Sequence, residues 1–174
     1  KEIPLQRIGK EYNLTRERIR QIEMQALMRF RRLIVGNDTY MKVLDEAKKA
    51  LDAQAGFLRE EKLIAKMINK GIFKFTKQEL KLILVSDFDV TYLKRNKFID
   101  RSFYLEPLYE DLLTKMSLFM YDYFAKRKQS QDLYEFIGYM KEVFTKDFAD
   151  IHYIQNDLFY VNFFESVRDV SVFD

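Results

Sequence analysis

The feature that most constrains this chain is the spacing of residues between positions 5 and 33, which predicts two helices joined at a tight corner. Gly9 is the small residue needed where two helix backbones approach each other. Asn13 stands where the corner requires a positive φ, which Asn tolerates because its side chain can bond locally to the backbone. Thr15 is a favourable N-cap for the second helix, and Glu17 lies in its first turn. The pattern predicts a helix-turn-helix.

The second helix of this pair has two chemically different faces. Its apolar residues recur at helical spacing, so they are expected to pack on a core: Ile19, Ile22, Ala26, Phe30 and Leu33. The opposite face begins with polar side chains and ends with a methionine: Arg16, Glu17, Arg20, Gln21 and Met24.

The polar face has the chemistry of a base-reading surface. Arg16 and Arg20 can donate to both major-groove acceptors of guanine, Gln21 can bond adenine through two hydrogen bonds, and Glu17 can accept from the cytosine amino group. A helix-turn-helix places the N-terminal part of its second helix against base edges. The alternative is an ordinary solvated face of a charged helix, but the preceding corner pattern favours binding to double-stranded DNA.

The string LTRERIRQIE at residues 14–23 resembles the consensus of region 4 of the sigma-70 family, which recognises the minus-35 promoter element. The resemblance extends over residues 3–33. It implies base reading by the four polar residues named above and docking to the flap of the RNA polymerase beta subunit. It also implies that phosphates are held at the start of the first helix and along the corner, by Leu5, Lys10, Thr15 and Arg18.

The chain departs from the family after Glu23. Met24, Gln25 and Met28 occupy positions that are polar or basic in relatives and can meet activators, so the resemblance does not extend to activator contact. Because the helix-turn-helix lies almost at the first residue, Lys1, and the chain lacks an initiator Met, we expect it to be a fragment of a longer protein.

Composition predicts a soluble globular protein, and the resemblance to sigma region 4 implies a location in the bacterial cytoplasm, associated with the nucleoid. Hydrophobic residues make up 48% and charged residues 33%, and no run of about 18 apolar residues indicates membrane insertion. The absence of Cys excludes disulfides and thiolate metal sites. Residues 1–33 hold nine Lys/Arg and four Asp/Glu, a net +5, whereas residues 34–174 hold 21 and 23, a net −2. Positive charge therefore coincides with the helix-turn-helix, as attraction to DNA requires.

Residues 36–105 are predicted to form a first winged-helix-like module after the helix-turn-helix of residues 1–35. Helical periods occur around residues 43–51, from Leu58 to Lys70, and after Thr76, which forms a capping box with Glu79. Residues 88–105 favour strands, with a polar turn at Lys94 to Lys97. Three helices followed by a hairpin is the order of a winged helix.

Residues 106–174 are predicted to form a second winged-helix-like or helical module, opened by a helix that starts at Pro107. A shift of 70 residues aligns the apolar positions of the two halves, for example Val90 with Tyr160. The alternative is a single irregular helical domain. The predicted fold is thus mainly α, and the element order resembles bacterial transcription-associated proteins in which sigma region 4 is fused to HARE-type helix-turn-helix modules.

Several charged and aromatic groups have two interpretations. Four charged residues either contact DNA as part of a wing or belong to a solvated hairpin turn: Lys94, Arg95, Lys97 and Arg101. The solvated turn is favoured. The run from Lys126 to Lys128 is either a phosphate contact or, as favoured, a set of charges paired with a helix dipole. Aromatic residues are dense after Phe98, and the core interpretation is favoured over stacking on single-stranded bases for Tyr121, Tyr123, Phe124, Phe159, Tyr160, Phe163 and Phe164.

Nothing in the sequence indicates catalysis, a metal site, a cofactor or a small-molecule substrate. His152 is the one histidine and is expected to be a partly buried structural residue.

Two function classes remain. The first is sigma-like promoter recognition in transcription initiation. The second is a free-standing regulator or chromosome-associated DNA-binding protein whose C-terminal part mediates protein interaction or oligomerisation.

Overall fold

The computed structural model describes residues 3–71, 74–126 and 131–168, and in these ranges the chain is mainly helical. The chain divides into two units, residues 1–42 and residues 43–174. The described elements are α1 (Leu5–Glu11), α2 (Arg16–Val35), α3 (Asp38–Asp52), β1 (Phe57–Arg59), α4 (Glu60–Asn69), α5 (Lys77–Val85), β2 (Val90–Leu93), β3 (Ser102–Leu105), α6 (Glu110–Lys126), α7 (Leu133–Asp147), a 3-10 helix (His152–Gln155) and α8 (Asp157–Ser166). The mainly helical fold class is confirmed. The predicted domain boundaries after residues 35 and 105 stay predictions.

The elements from α3 to β3 follow the winged-helix-like order, with one strand more than the sequence predicted. The three strands form an antiparallel sheet in the order β1-β3-β2. Val90 pairs with Leu105 and Leu93 pairs with Ser102, so the predicted hairpin is confirmed. The capping box of α5 is also formed, since the Thr76 hydroxyl accepts from the Glu79 amide at 3.3 Å and the Thr76 amide donates to the Glu79 carboxylate at 2.7 Å.

The additional strand, β1, corrects the prediction that a helix begins at Leu58. Ala55 and Gly56 have φ values of 55° and 75°, which turn the chain after α3. A Cβ atom on Gly56 would lie 2.6 Å from the ring of Tyr153, so a larger residue would displace that ring. Phe57 then pairs with Tyr104 in β3. Because the backbone hydrogen bonds of β1 go to a strand far along the chain, helical periodicity could not predict β1.

The connection between β2 and β3 is longer than the predicted turn. Phe98 and Ile99, which were predicted to lie in a strand, belong to this connection because the Asn96 side chain accepts from both of their amides at 2.8 Å. Ile99 is fully buried and forms an isolated antiparallel bridge with Val167. The loop therefore turns one apolar side chain into the core while its charged residues stay at the surface.

The described elements within residues 106–168 are three α-helices and a 3-10 helix, and two expectations need correction. Pro107 follows a cis peptide bond and does not open α6, which begins at Glu110. The 70-residue shift places β2 opposite residues 160–163, but these lie in α8. A strand of a second hairpin is therefore not formed there. Residues 169–174, where the shift would place the rest of that hairpin, lie outside the described residues.

The aromatic side chains of this part form a core. Fully buried rings come from α7 and α8: Phe136, Phe159, Tyr160, Phe163 and Phe164. Tyr121, Tyr123 and Phe124 are partly buried against the same cluster, which also contains side chains from all three strands. The core interpretation of these aromatic residues is confirmed. Burial raises the pKa of Tyr160 above its ordinary value. Among the buried polar side-chain atoms of the described residues, the Tyr160 hydroxyl oxygen has no hydrogen-bond partner.

Phe57→Ala should destabilise this core strongly. The Phe57 side chain has no exposed surface and makes edge-on contacts with the rings of Phe159 and Phe163, at centroid distances of 6.1 and 5.7 Å. We expect urea denaturation to show a loss of about 3–5 kcal/mol in the free energy of unfolding.

The control for Phe57→Ala is Tyr134→Ala on α7, whose side chain is 69% exposed. This variant should change the free energy of unfolding by no more than about 0.5 kcal/mol. Equal losses in the two variants would contradict the core described above.

Candidate nucleic-acid interface

The corner between α1 and α2 is closed by backbone contacts. The Tyr12 amide donates to the Ile8 carbonyl at 3.1 Å, and the Leu14 amide donates to the Gly9 carbonyl at 2.8 Å. Asn13, between them, has a φ of 52°, as predicted for the corner residue. A Cβ atom on Gly9 would lie 2.5 Å from the Leu14 carbonyl oxygen. Only glycine fits at position 9, because backbone on the other side cannot rotate away as a side chain can.

The start of α2 is fixed by its N-cap. The Thr15 hydroxyl accepts from the Arg18 amide at 3.1 Å, which satisfies one of the amides left free at a helix start. The hydroxyl proton remains available to donate to a phosphate. Thr15 is exposed, so its two expected roles, as N-cap and as phosphate contact, are geometrically compatible.

The four predicted base-reading residues lie in the first two turns of α2, and all are exposed: Arg16, Glu17, Arg20 and Gln21. Glu17 and Arg20 bind each other through three hydrogen bonds, from Nε to both carboxylate oxygens and from Nη2 to Oε1, with distances of 2.7–3.1 Å. Gln21 accepts from Arg18 Nη1 at 3.3 Å. Neither pairing was predicted from the sequence, although a spacing of three residues is the signal for side-chain contact on a helix.

Three of the predicted phosphate-binding residues precede this set in the chain, and the fourth, Arg18, lies within it. Lys10, Thr15 and Arg18 are exposed, and Leu5 is the half-buried first residue of α1. Lys10 lies in the last turn of α1, where a cation is favourably placed against the helix dipole. Arg18 differs from Lys10 because its guanidinium also contacts a predicted base-reading residue. The roles of these four residues stay predictions.

The apolar face predicted for α2 is only partly covered. Ile19 is buried and Phe30 is half-buried, but Ile22, Ala26 and Leu33 are exposed, which contradicts the prediction that they pack on a core. The Phe30 ring contacts the ring of Tyr40 at a centroid distance of 6.2 Å. In the C-terminal half of α2, the apolar side chains that are covered are instead Leu27, Phe30 and Ile34.

The charged residues of the β2–β3 loop, predicted as wing contacts, are largely engaged within the protein. Arg95 Nε lies 3.4 Å from an Asp100 carboxylate oxygen, and the Lys97 ammonium lies 5.3 Å from the centre of the Phe98 ring. Arg95 and Asp100 also line an open charged cleft of about 260 Å³ together with Arg59, Glu60, Glu61 and Arg101. Lys94 is exposed. A wing contact to DNA by Lys94, Arg95 or Lys97 stays a prediction.

Two other features singled out in the sequence, the basic run at Lys126 and the histidine His152, have local contacts in the structure. Lys126 Nζ lies 2.6 Å from Asp122 Oδ2 one turn earlier in α6, whereas Arg127 and Lys128 lie outside the described residues. His152 is exposed, with its ring 3.9 Å from that of Tyr153, so the expectation of a partly buried histidine was wrong. The 3-10 turn presents His152 outward while Tyr153 and Ile154 enter the core.

Comparison with known proteins agrees with the geometry of the corner. Residues 1–32 match the family model described as Sigma-70, region 4, which confirms the resemblance expected at the N-terminus. No curated protein and no solved structure matches the chain. The match supports a DNA-binding helix-turn-helix and a role in transcription, and it covers 32 of the 174 residues. In the described ranges, no helix is long and apolar enough to cross a membrane.

The Glu17–Arg20 contact should be visible in a titration of Glu17. The hydrogen bonds from Arg20 hold the pKa of Glu17 below its ordinary value of 4.5, so the carboxylate stays ionised and paired until the pH falls through this lowered pKa. We expect an NMR titration of the Glu17 carboxyl carbon to have its midpoint below 4.5, and the midpoint to rise in Arg20→Ala. An unchanged midpoint in Arg20→Ala would show that the pair does not form in solution.

Proposed function

We propose that this chain recognises promoter DNA in transcription initiation, with the N-terminal half of α2 lying in the major groove. The observation that carries the proposal is the exposed set Arg16, Glu17, Arg20 and Gln21 on the first two turns of α2, directly after a corner that only glycine at position 9 permits. Helix-turn-helix proteins use this part of the second helix to contact bases. The match of residues 1–32 to sigma-70 region 4 supports the same assignment.

The distribution of charge supports attraction of the first unit to DNA. The net charge of +5 lies within residues 1–33, while the rest of the chain carries −2. Lys10, Thr15 and Arg18 supply phosphate contacts that position the helix, and they carry no sequence information themselves. We propose that the chain acts by binding, without catalysis, in the nucleoid of a bacterial cell.

The base-reading role is tested by Arg20→Ala against Lys10→Ala. Arg20→Ala should relax selectivity at one base pair, by about tenfold, because its fork no longer reaches guanine. Lys10→Ala should weaken binding to all sequences alike and reduce the salt dependence by about one phosphate contact. Lys10 is chosen in place of Arg18 because Arg18 also contacts Gln21.

Both variants are measured by selection from a duplex DNA library and by binding at several salt concentrations. Loss of affinity without any change in selectivity for Arg20→Ala would refute the base-reading role. A change in selectivity for Lys10→Ala would refute its assignment to phosphate.

Sigma-like action adds a second partner, the flap of the RNA polymerase beta subunit. We expect the full chain to co-purify with core polymerase and to retain this interaction in Arg20→Ala, because the base-reading side chains face DNA. Binding to selected DNA without any retention of core polymerase would favour a free-standing regulator.

The free-standing regulator is the second candidate function. It is favoured by the second unit, residues 43–174, which has a hydrophobic core of its own and lies outside the region 4 match. In this candidate, the first unit binds DNA in the same way, and the second unit mediates protein interaction or oligomerisation. The measurement of DNA selectivity is common to both candidates, and the polymerase measurement separates them.

A further inference from the structure

The contact between Glu17 and Arg20 uses one edge of the guanidinium and leaves another edge available. Arg20 has five N–H donors, on Nε, Nη1 and Nη2. Nε and Nη2 donate to the Glu17 carboxylate, at 2.9 Å from Nε to Oε2 and 2.7 Å from Nη2 to Oε1. Two parallel N–H donors, one on Nη1 and one on Nη2, remain at the far end of the side chain, directed away from Glu17.

The remaining pair of donors has the geometry that guanine requires. Guanine presents O6 and N7 as adjacent acceptors in the major groove, and two parallel N–H groups of an arginine bind them together. The edge used by Glu17 is the side edge, so the end edge can approach a base while the ion pair is intact. Both side chains are more than half exposed, at 53% for Arg20 and 59% for Glu17, so a base edge has access to them.

The carboxylate, by contrast, is already largely used. Glu17 Oε1 accepts from both Nε and Nη2, and Oε2 accepts from Nε. A carboxylate has about four acceptor sites, so one site on Oε2 remains. The charge-assisted hydrogen bonds to Arg20 are stronger than a single bond from a neutral amino group, so Arg20, and not a base, sets the orientation of the Glu17 carboxylate. The arrangement thus favours a different role for Glu17 from that of Arg20.

We infer that Glu17 is a positioning residue that holds Arg20 with its end edge toward guanine, so that the two side chains act as one specificity-determining unit. An unrestrained arginine loses rotamer freedom when it docks, and a side chain held in place beforehand loses less. The inference rests on the proposed function, because it concerns how the same helix face selects its DNA sequence.

The test is a double-mutant cycle on base-pair selectivity, using Glu17→Gln, Arg20→Ala and the double variant of the full chain. Each is measured by selection from a duplex DNA library randomised across the binding site. Glu17→Gln should relax the preference at the same base pair as Arg20→Ala, by roughly fivefold to tenfold, and the double variant should be no less selective than Arg20→Ala alone.

The matched control is Glu23→Gln, which removes one negative charge from another exposed position of α2. It should leave selectivity at that base pair unchanged, which separates positioning from a general change in helix charge. Circular dichroism of all variants checks that the helix content of the chain is unchanged, and selectivity ratios are compared only between folded variants.

Three results would overturn the inference. The first is that Glu17→Gln relaxes a different base pair from Arg20→Ala, with additive loss in the double variant, as expected for an independent reader of cytosine. The second is that Glu17→Gln leaves selectivity unchanged at every base pair. If Arg20→Ala itself leaves selectivity unchanged, the base-reading role proposed above fails as well, and this outcome is distinguished by the single Arg20 variant.

Discussion

The approach of two backbone segments at Gly9 and Leu14 is the constraint on which the candidate interface depends. The Leu14 amide bonds the Gly9 carbonyl at 2.8 Å, and the site where a Cβ would stand on Gly9 is only 2.5 Å from the Leu14 carbonyl oxygen. This contact fixes where α1 ends and in which direction α2 starts. The exposed side chains that follow Thr15 are therefore presented from a defined point, as recognition of a groove requires.

The features that the sequence predicted well are those formed by contacts within a few residues. The corner at Asn13, the N-cap at Thr15 and the capping box of α5 each depend on hydrogen bonds that span five residues or fewer. The strand β1 is different, because Phe57 pairs with Tyr104. A three-residue strand has too few residues to show alternation, and its partner is set by the tertiary fold, so local patterns could not predict it.

The apolar face of α2 shows a second limit of sequence periodicity. The spacing of Ile19, Ile22, Ala26 and Leu33 is correct for one side of a helix, yet Ile19 alone of these four is buried. Periodicity identifies a face that can be buried, whereas burial depends on which other elements reach it. In the first unit, the contact of Tyr40 with Phe30 covers a neighbouring side of the helix instead.

The candidate site was predicted as a set of independent residues, and its structure shows that they are connected. Arg18, assigned to phosphate, donates to Gln21, assigned to a base, and Arg20 is bound to Glu17. A movement of Arg18 away from Gln21 would remove this donor from the Gln21 side-chain oxygen. The residues predicted to contact phosphate and those predicted to contact bases are thus linked through hydrogen bonds between side chains three residues apart. The composition of the face predicts a class of ligand, whereas the contacts between its side chains could be found only from the structure.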